Sequence, residues 1–462
     1  MRVWPVVLVS VFAIGACVDR TAQIGLSIQE TLKAAPVVAA VDEDVWAEVN
    51  RFYKERDHAP AWVQSEDASK ITKALRVLQS ADDHGFAASD YGANEVARAI
   101  DGHGDSEEST DETVALVQLD VRITTGLLAL GHDVALGRSQ PKNIDPRWKK
   151  RRPVPDFVGL LARAVEDDPS TWLASVQPQH PEYAALQKSL ATLRAHPIAE
   201  GDDRRQLLAM NLERWRWMPD DVGTRHVIVN IPAFRLAVRE SERAVLDMKV
   251  VVGEKDAEHR TPVFSGEMAT VVFSPYWNVP DSIVEGETAP AIARDPSFLE
   301  RNNIEILRQS RGRSEPVDPG TVDWDDAAEL KQLLFRQRPG PDNALGHVKF
   351  LFQNPFNVYL HDTPADALFA RSGRALSHGC VRLEQPEALA QYVLRDMPEW
   401  DDRRIRDAMN AGVEKPVALK EKLPVHIVYF TAWPRSDGGF DTWPDVYGYD
   451  AAQASHGAGT AK

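Results

Sequence analysis

Two short motifs in the last quarter of the chain contain the residues best suited to covalent chemistry. Residues 359–362 read Tyr-Leu-His-Asp, and residues 377–382 read Ser-His-Gly-Cys-Val-Arg. The chain has one further cysteine, Cys17, which ends an N-terminal apolar run. A thiol attacks carbonyls as its thiolate, which a neighbouring base or positive field must stabilise. Because Cys380 sits in a polar turn rather than an apolar run, we predict a nucleophile and not a small core residue.

The neighbours of Cys380 indicate how its chemistry would be assisted. Gly379 lets a substrate approach the backbone closely, and the N–H groups of Gly379 and Cys380 could hold an oxyanion. His361 and His378 compete for the role of general base. An imidazole near its ordinary pKa can take the thiol proton, and the resulting ion pair keeps the thiolate populated. Adjacent side chains on an extended segment point to opposite faces, so we interpret His378 as shaping the turn or the substrate pocket.

These motifs resemble the catalytic domain of the L,D-transpeptidases (YkuD type). That pattern is a histidine, a gap, then Ser/Thr-His-Gly-Cys with Arg or Asn two residues after the cysteine. The likeness extends to further motifs and resembles the large, multi-domain YcbB-like subgroup, over roughly Val41 to Asp450. The additional motifs are Asn211–Trp217, Tyr276–Pro280, Arg338–Gly346 and Val348–Phe350.

The resemblance implies roles for the individual residues. Cys380 is the nucleophile, His361 the base, and a backbone carbonyl after His361 orients its ring, with the Asp362 side chain a weaker candidate. Arg382 pairs with a stem-peptide carboxylate or, alternatively, forms a structural salt bridge. Ser377 is expected to form hydrogen bonds within the turn. The remaining candidates are expected to form walls of the substrate groove or, alternatively, to be core residues: Trp277, Asn278 and Tyr359.

The implied reaction is a two-step acyl transfer in cell wall biogenesis. The cysteine attacks the L-centre carbonyl of the third residue in a donor tetrapeptide and expels the terminal D-Ala. An amine at the D-centre of an acceptor diaminopimelate then resolves the thioester into a 3→3 cross-link. Water as acceptor would make the enzyme an L,D-carboxypeptidase; a lysine side chain would anchor a protein to peptidoglycan, and a free D-amino acid would exchange the terminal residue. The family also implies inhibition by carbapenems.

Two alternative functions from other classes of protein are compared with this hypothesis. A papain-like or NlpC/P60-type hydrolase places its cysteine before its histidine, whereas here only His426 and His456 follow Cys380. A non-catalytic lipoprotein could bind the wall and scaffold cell-wall synthesis proteins, but a binding module needs neither nucleophile nor base. We expect no cofactor, because phosphate-binding Gly-rich loops are missing from the sequence. We expect no metal, because His84, His103 and His132 show no ligand spacing.

Composition indicates a soluble globular protein of two or three domains. The chain has 462 residues, of which 43% are hydrophobic and 26% charged, and its net charge is −16. That length exceeds what one hydrophobic core usually supports. The acidic balance argues against nucleic acid or acidic lipid as partner, since both need basic patches. No uninterrupted apolar run is long enough to span a membrane.

The first residues predict export. Residues 1–17 have Arg2, an apolar stretch and small residues, as in a signal peptide. Ile14–Cys17 resembles a bacterial lipobox in which Cys17 would be lipidated; the alternative is ordinary cleavage nearby with an incidental cysteine. We expect a protein in the periplasm of a Gram-negative bacterium with a lipid anchor in the membrane, the outer membrane being favoured because Val18 follows. An oxidising compartment also explains the scarcity of cysteine.

The periodicity of the remaining chain predicts an α+β fold in several parts. We expect a linker at 18–40, an all-helical scaffold domain at 41–200, and a mainly β L,D-transpeptidase catalytic domain at 207–450. A capping insertion at 281–336 interrupts the strands and is expected to act as a lid; the tail at 451–462 is expected to be disordered. Apolar residues at helical spacing predict helices around 45–53, 71–78 and 116–130. Strands are predicted at 226–231, 234–238, 248–252, 270–273, 356–361 and 425–430, and further helices at 387–394 and 402–409.

Overall fold

The computed structural model describes most of the chain, and its contacts divide it into two compact units. The first unit comprises residues 1–220, 431–443 and 448–462, and the second comprises 221–430 and 444–447. Helices dominate the first and strands the second, so the predicted α+β fold is confirmed. The described residues are 12–34, 38, 41–63, 69–101, 110–149, 152–196, 199, 201–241, 243–310 and 313–457.

The first unit is helical because its apolar residues recur at helical spacing and meet in one buried cluster. The helices predicted around residues 45–53, 71–78 and 116–130 are all present. The helices are α1 Phe12–Thr31, α2 Glu43–Glu55, α3 Ser69–Gln79, α4 Ala93–Asp101, α5 Thr110–Leu136, α6 Phe157–Glu166, α7 Pro169–Val176, α8 Pro181–Ala195 and α9 Arg204–Trp215.

The central helix of this unit is α5. Its segment Glu112–Leu136 is long and apolar enough to cross a membrane by length and composition, but 78% of its most apolar window is buried inside the protein. Asp120 on α5 is buried too, and it accepts hydrogen bonds from the Tyr53 hydroxyl and from the backbone N–H of Ala61, Trp62 and Val63. A buried carboxylate with so many donors ties neighbouring segments to the helix. We therefore interpret α5 as the core helix of the unit.

The second unit is built on one nine-stranded sheet in the order β11-β3-β12-β10-β9-β4-β13-β1-β2. The predicted strands are present, with one exception: of 356–361 only the last two residues form a strand. The two predicted C-terminal helices are also present. The strands and helices of this sheet domain are β1 Arg225–Asn230, β2 Arg235–Glu240, β3 Arg243–Gly253, β4 Phe264–Phe273, β9 Val348–Phe352, β10 Leu360–His361, β11 Ala375–Ser377, β12 Val381–Leu383, β13 Lys415–Val428, α14 Pro386–Leu394 and α15 Asp402–Met409.

The segment between β4 and β9, which we call the cap, forms a second sheet in the order β5-β8-β6-β7. It has its own apolar cluster around Val284, Ile292, Leu299 and Phe335. Sequence analysis missed its strands, because exposed polar residues on this small sheet obscure the period of two. The cap elements are β5 Trp277–Asn278, α10 Asp281–Ile283, α11 Ala289–Arg294, α12 Phe298–Arg301, β6 Ile304–Ser310, β7 Arg313–Pro316, α13 Ala327–Leu330 and β8 Leu333–Gln337.

The C-terminal segments return to the first unit as a hairpin of β14 Ala432–Pro434 and β15 Phe440–Thr442, followed by α16 Tyr449–Gly457. The disordered tail expected from residue 451 is therefore wrong through residue 457, because Tyr449 is buried and its hydroxyl bonds Asp145. The Asn211–Trp217 motif also belongs to this unit: the buried Arg214 pairs with Asp450 on α16. The contact division therefore differs from the predicted start of the catalytic domain at residue 207.

The N-terminal residues differ from the expected linker. Helix α1 extends through Thr31, and Ile24 and Ile28 are buried in the apolar cluster of the first unit. A free tether over 18–40 is therefore wrong for the residues described there, because these side chains bury apolar surface. Residues 1–11 of the predicted signal peptide lie outside the described residues. Cys17 lies within the range of α1, and its side chain is outside the description.

Candidate active site

Three neighbouring strands carry the candidate site on one face of the nine-stranded sheet. Strand β10 lies between β9 and β12, and its register pairs His361 with Lys349 on one side and with Arg382 on the other. Directly paired side chains share a face, and so do side chains two residues apart. Tyr359 and Cys380, each two residues earlier on adjacent segments, therefore lie on this face too. The result is a thiol and a phenol beside a row formed by one imidazole and two cations.

Tyr359 is the neighbour that most favours the thiolate form of Cys380. Its backbone N–H and its phenol hydroxyl both act as donors that lower the pKa of the thiol. On another side Sγ lies 3.8 Å from the backbone oxygen of Asn357, a residue in the left-handed region at φ 54°. Burial raises the pKa of the Cys380 thiol above its ordinary value, although the Tyr359 donors and the Arg382 cation oppose that rise. The resting thiol is therefore protonated at neutral pH.

His361 is almost fully buried, and its orientation is set by the backbone. Its Nδ1 lies 2.6 Å from the carbonyl oxygen of Asp362, so Nδ1–H donates and Nε2 carries the free lone pair. Burial, followed by the nearby Arg382 and Lys349 cations, lowers the pKa of His361 to about 3. Among the described residues, no hydrogen bond joins His361 to the Cys380 sulfur. The ring is thus a neutral base with a defined tautomer.

This electrostatic arrangement corrects one expectation. We predicted an imidazole near its ordinary pKa and a populated thiolate–imidazolium pair. Instead the pKa of Cys380 is raised and the pKa of His361 is lowered, mainly by burial in both cases. Burial penalises the charged form of each group, and the two cations penalise the imidazolium as well. The resting pair is neutral, and charge would develop only during attack on a substrate.

The turn that presents Cys380 is held by a buried serine. Ser377 Oγ donates to the Cys380 carbonyl oxygen at 2.6 Å, and the Gly379 N–H donates to Ser377 Oγ at 3.2 Å. Gly379 has a φ of 112°, which only glycine adopts without strain. Its carbonyl accepts from the buried Thr261 hydroxyl at 2.8 Å. Ser377 therefore has the turn role predicted for it, and Thr261 is a support that no sequence motif revealed.

The same hydrogen bonds bear on the predicted oxyanion hole. The Gly379 N–H is buried and donates to Ser377 Oγ, and its use as a donor to substrate stays a prediction. The Cys380 N–H has no hydrogen-bond partner among the described residues. The Tyr359 hydroxyl is a second donor at the sulfur. Both groups are donors beside the nucleophile, which is the chemistry that an oxyanion hole requires.

Asp362 contributes to the site through its backbone. Its carboxylate accepts from the N–H of His347 at 2.8 Å and of Thr363 at 2.7 Å, and Gly346 packs so closely against it that any Cβ would clash. The side chain therefore organises a loop instead of contacting His361. The carbonyl oxygen of the same residue orients the imidazole, as the family resemblance implied.

Arg382 is a half-buried cation for which the described residues supply no carboxylate and no hydrogen bond, and its Nε is buried without a partner. Burial lowers the pKa of Arg382, an effect that the Cys380 sulfur opposes. A structural salt bridge, the alternative considered from the sequence, is not formed there. A guanidinium with unused donors next to a nucleophile is suited to bind a substrate carboxylate.

A cavity of about 730 Å³ opens onto Cys380. Of the three predicted wall residues, Asn278 and Tyr359 line it, but Trp277 does not, because it packs against the apolar cluster of the cap. Side chains alternate along β5, so neighbours on that strand face opposite ways. Sequence analysis missed several lining residues, which belong to loops and to the base of the cap. They include Tyr276, Pro280, Lys349, Asn354 and Asn357.

The cap touches the catalytic turn directly. His378 Nε2 lies 3.0 Å from a carboxylate oxygen of Glu287, which is in a π-helical turn of the cap at Val284–Thr288. The His378 ring also meets the His259 ring edge to face, with centroids 4.7 Å apart. His378 thus contacts the cap and lines the cavity at Cys380, in line with the predicted role in shaping the turn or the substrate pocket. Motion of the cap as a lid stays a prediction.

One exposed group of metal-ligand type lies near this contact. Ligand atoms of Glu254, Asp256 and His259 fall within 4.8 Å of one another. A hydrogen bond of 2.9 Å between His259 Nδ1 and an Asp256 carboxylate oxygen accounts for this proximity. The group therefore gives no independent indication of a metal ion.

Family comparisons agree with this geometry. Residues 224–427 match the family model described as the L,D-transpeptidase catalytic domain, YkuD. This segment is an L,D-transpeptidase catalytic domain. Residues 47–190 match a family model described as a scaffold domain. The predicted resemblance and the order of a helical scaffold before a mainly β transpeptidase domain are therefore confirmed. The outer bounds of 41–200 and 207–450 stay predictions.

Two individual proteins were also compared with this chain. The chain is 29% identical to a Haemophilus influenzae protein named "Putative L,D-transpeptidase" over 410 residues, covering 87% of this chain and 77% of that protein. Among solved structures, an L,D-transpeptidase from Mycobacterium smegmatis matches with a TM-score of 0.22 and 14% identity. That match covers 44% of this chain and 58% of the other.

Proposed function

We propose that this protein forms 3→3 cross-links in peptidoglycan, with Cys380 as the nucleophile of a thioester intermediate. The observation that carries the proposal is the thiol itself, which opens onto the large cavity of a transpeptidase domain with two Tyr359 donors at its sulfur. His361, on the same face of the sheet, is neutral and held in one tautomer. A binding module would need none of these features.

In the first step the donor peptide acylates Cys380. His361 Nε2 takes the thiol proton while sulfur bonds to the L-centre carbonyl carbon of the third residue. The Cys380 N–H and the Tyr359 hydroxyl stabilise the oxyanion. Collapse breaks the amide bond, and the imidazolium gives its proton to the departing amine of D-Ala. Hydrogen bonds at such sites often tighten only in the substrate complex, so the base can approach the thiol on binding.

In the second step the acceptor amine resolves the thioester. The neutral His361 takes a proton from the attacking amine as nitrogen bonds to the acyl carbon. The carbon–sulfur bond breaks, and the thiolate recovers its proton from the imidazolium. Because burial and neighbouring cations disfavour imidazolium, the proton is returned readily and the base is neutral at the start of each step.

Arg382 and the cap bind and enclose the donor in this proposal. The unpartnered guanidinium of Arg382 pairs with a stem-peptide carboxylate. Glu287 on the cap already contacts His378 on the catalytic turn, so closure over a bound peptide would exclude water. Exclusion of water favours the amine acceptor over hydrolysis and thus cross-linking over carboxypeptidase activity.

Mass spectrometry of muropeptides tests the proposal. Purified protein is incubated with tetrapeptide-rich sacculi, and we expect 3→3 dimers together with released D-Ala. Cys380→Ala should yield neither product while keeping its circular dichroism spectrum, and Cys17→Ser is the matched control that should keep both. Tripeptides without dimers would replace cross-linking by L,D-carboxypeptidase activity. Unchanged muropeptides with a folded wild-type protein that still sediments with sacculi would leave only a wall-binding scaffold.

Location and anchoring are part of the proposal. A peptidoglycan substrate requires the periplasm, and the apolar run ending in the lipobox-like Ile14–Cys17 supports export with lipidation. Metabolic labelling with a fatty acid should mark the wild-type protein and not Cys17→Ser. Labelling of both proteins, or of neither, would refute the anchor at Cys17.

A further inference from the structure

Lys349 is the one permanently charged side chain among the residues that line the described cavity at Cys380. It lies on β9 opposite His361, and its side chain is 18% exposed. Burial lowers the pKa of its ammonium group, so keeping a cation here is unfavourable unless a partner compensates.

The described contacts of Lys349 leave hydrogen-bonding capacity unused. An ammonium group has three N–H donors. Lys349 Nζ donates to the Tyr276 carbonyl oxygen at 3.1 Å, and the nearest carboxylate oxygen, of Glu414, is 3.8 Å away. That oxygen accepts instead from the Tyr276 N–H at 2.9 Å. The ammonium is thus incompletely neutralised in a cavity that otherwise presents uncharged groups and His378.

The position of Lys349 identifies which part of a donor it could contact. Cys380 and Lys349 are two strands apart and offset by two residues, so their Cα atoms are about 11 Å apart. The terminal D-Ala carboxylate adjoins the attacked carbonyl, whereas the diaminopimelate side chain of the donor ends in a carboxylate much farther along. A lysine reaching along the cavity suits the distant diaminopimelate carboxylate. Arg382, two residues after Cys380, suits the nearer D-Ala carboxylate.

We propose that Lys349 binds the D-centre carboxylate of diaminopimelate in the donor peptide and selects donors in which that group is a free acid. This inference rests on the proposed function, since it concerns the same cavity. A carboxamide offers an acceptor oxygen but no charge, so it would leave the partly buried ammonium uncompensated. Lys349 is therefore a specificity-determining residue.

Equilibrium binding separates this inference from turnover. Isothermal titration calorimetry is done on the full-length Cys380→Ala protein with two tetrapeptide donors, one with the free D-centre carboxylate and one with its carboxamide. We expect the free acid to bind about tenfold to a hundredfold more tightly. Adding Lys349→Gln should remove that preference and leave carboxamide binding unchanged, whereas Lys349→Arg should retain it.

Two further variants sharpen the test. Glu414→Gln keeps an oxygen for the Tyr276 N–H but removes the charge near Lys349, so free-acid binding should tighten. Lys422→Gln removes an exposed lysine that pairs with Glu267 away from the cavity lining, and it should change neither constant. These controls distinguish a local charge effect from the general charge of the protein.

Several results would overturn the assignment. Equal loss of binding of both donors in Lys349→Gln would mean that the lysine only supports the Tyr276 loop. Equal affinity of the two donors for the Cys380→Ala protein that retains Lys349 would also refute the assignment. No measurable binding of the free acid to that protein would refute it as well. Failure of the wild-type enzyme to form cross-links, with the free-acid preference intact, would instead count against the proposed function alone.

Discussion

Removing the charge of Arg382 should move the pH dependence of Cys380 acylation. Acylation needs a neutral His361, so the rate falls as pH drops through the pKa of that residue. The pKa of His361 is lowered to about 3, and Arg382 is the largest charge effect after burial. The wild-type rate should therefore lack an acid limb between pH 5 and 7. Arg382→Gln removes a cation that opposes the imidazolium. The pKa of His361 should therefore rise, and the acid limb should move to a higher pH.

The size of that change follows from the sheet geometry. Paired residues on adjacent strands are about 5 Å apart. Two unit charges at that distance interact by about 3 kcal/mol at an effective dielectric constant of about 20. That energy corresponds to a rise of at most about two units in the pKa of His361. The acid limb of Arg382→Gln is therefore expected near pH 4 to 5. Lys349→Gln should give a smaller change in the same direction, since it contributes less.

The assay is the rate of covalent labelling by a carbapenem, followed by intact-protein mass spectrometry from pH 4 to 8. Limb positions are compared rather than absolute rates, because Arg382→Gln can also weaken binding. Arg371→Gln, an exposed arginine nearby in sequence, is the matched control and should leave the limb in place. A wild-type limb near pH 6.5, or an Arg382→Gln limb that does not move, would refute the electrostatic reasoning.

Four other predictions concern single features. His361→Ala should reduce acylation almost as fully as Cys380→Ala, by a factor of about 10² to 10⁴, and His378→Ala should reduce it less; stopped-flow acylation in which only His378→Ala is impaired would reverse the roles. A carbapenem should form a stable adduct with Cys380 whereas most penicillins acylate poorly, and a folded protein without an adduct in intact mass spectra would contradict an active thiol. Residues 281–336 should exchange amide hydrogens faster than β10 and slow down when donor peptide is bound, and full protection of this segment in the free enzyme would rule out a mobile lid. Burial lowers the pKa of His84 to about 3, so the unfolded state binds the proton first and stability rises with pH from about 3 to about 6.5; at pH 5 we expect a loss of about 2 kcal/mol relative to neutral pH, and equal urea midpoints at both pH values for wild type and His84→Gln would contradict it.

The sequence alone was sufficient for the fold class, and its motifs pointed to His361 and Cys380 but not to most residues that line the cavity. Strong helical and alternating periodicities predicted α2, α3 and α5 and most strands of the nine-stranded sheet, since long amphipathic segments reflect burial directly. Weakly patterned segments were predicted less well. The cap strands were missed because polar residues on a small exposed sheet leave little apolar alternation, and the start of 356–361 is a loop because Asn357 adopts a left-handed conformation.

Motif spacing identified His361 and Cys380 but not how they are charged. Their pKa directions depend on burial and on Lys349 and Arg382, which only strand pairing brings beside the imidazole. No local pattern could predict that arrangement, because residues far apart in the chain meet across the sheet. The expected thiolate–imidazolium pair was wrong for this reason.

Backbone donors are a second matter that the tertiary structure decided. The His-Gly-Cys motif predicted a glycine near the nucleophile, and the positive φ of Gly379 agrees with that need. Whether the Gly379 N–H is free depends on the side chain two residues earlier. The Ser377 hydroxyl folds back and accepts a hydrogen bond from that N–H. Residue types therefore determined which chemistry this protein can attempt, whereas long-range packing determined which donors, cations and cavity walls are available, since desolvation and hydrogen bonding depend on every neighbour in space.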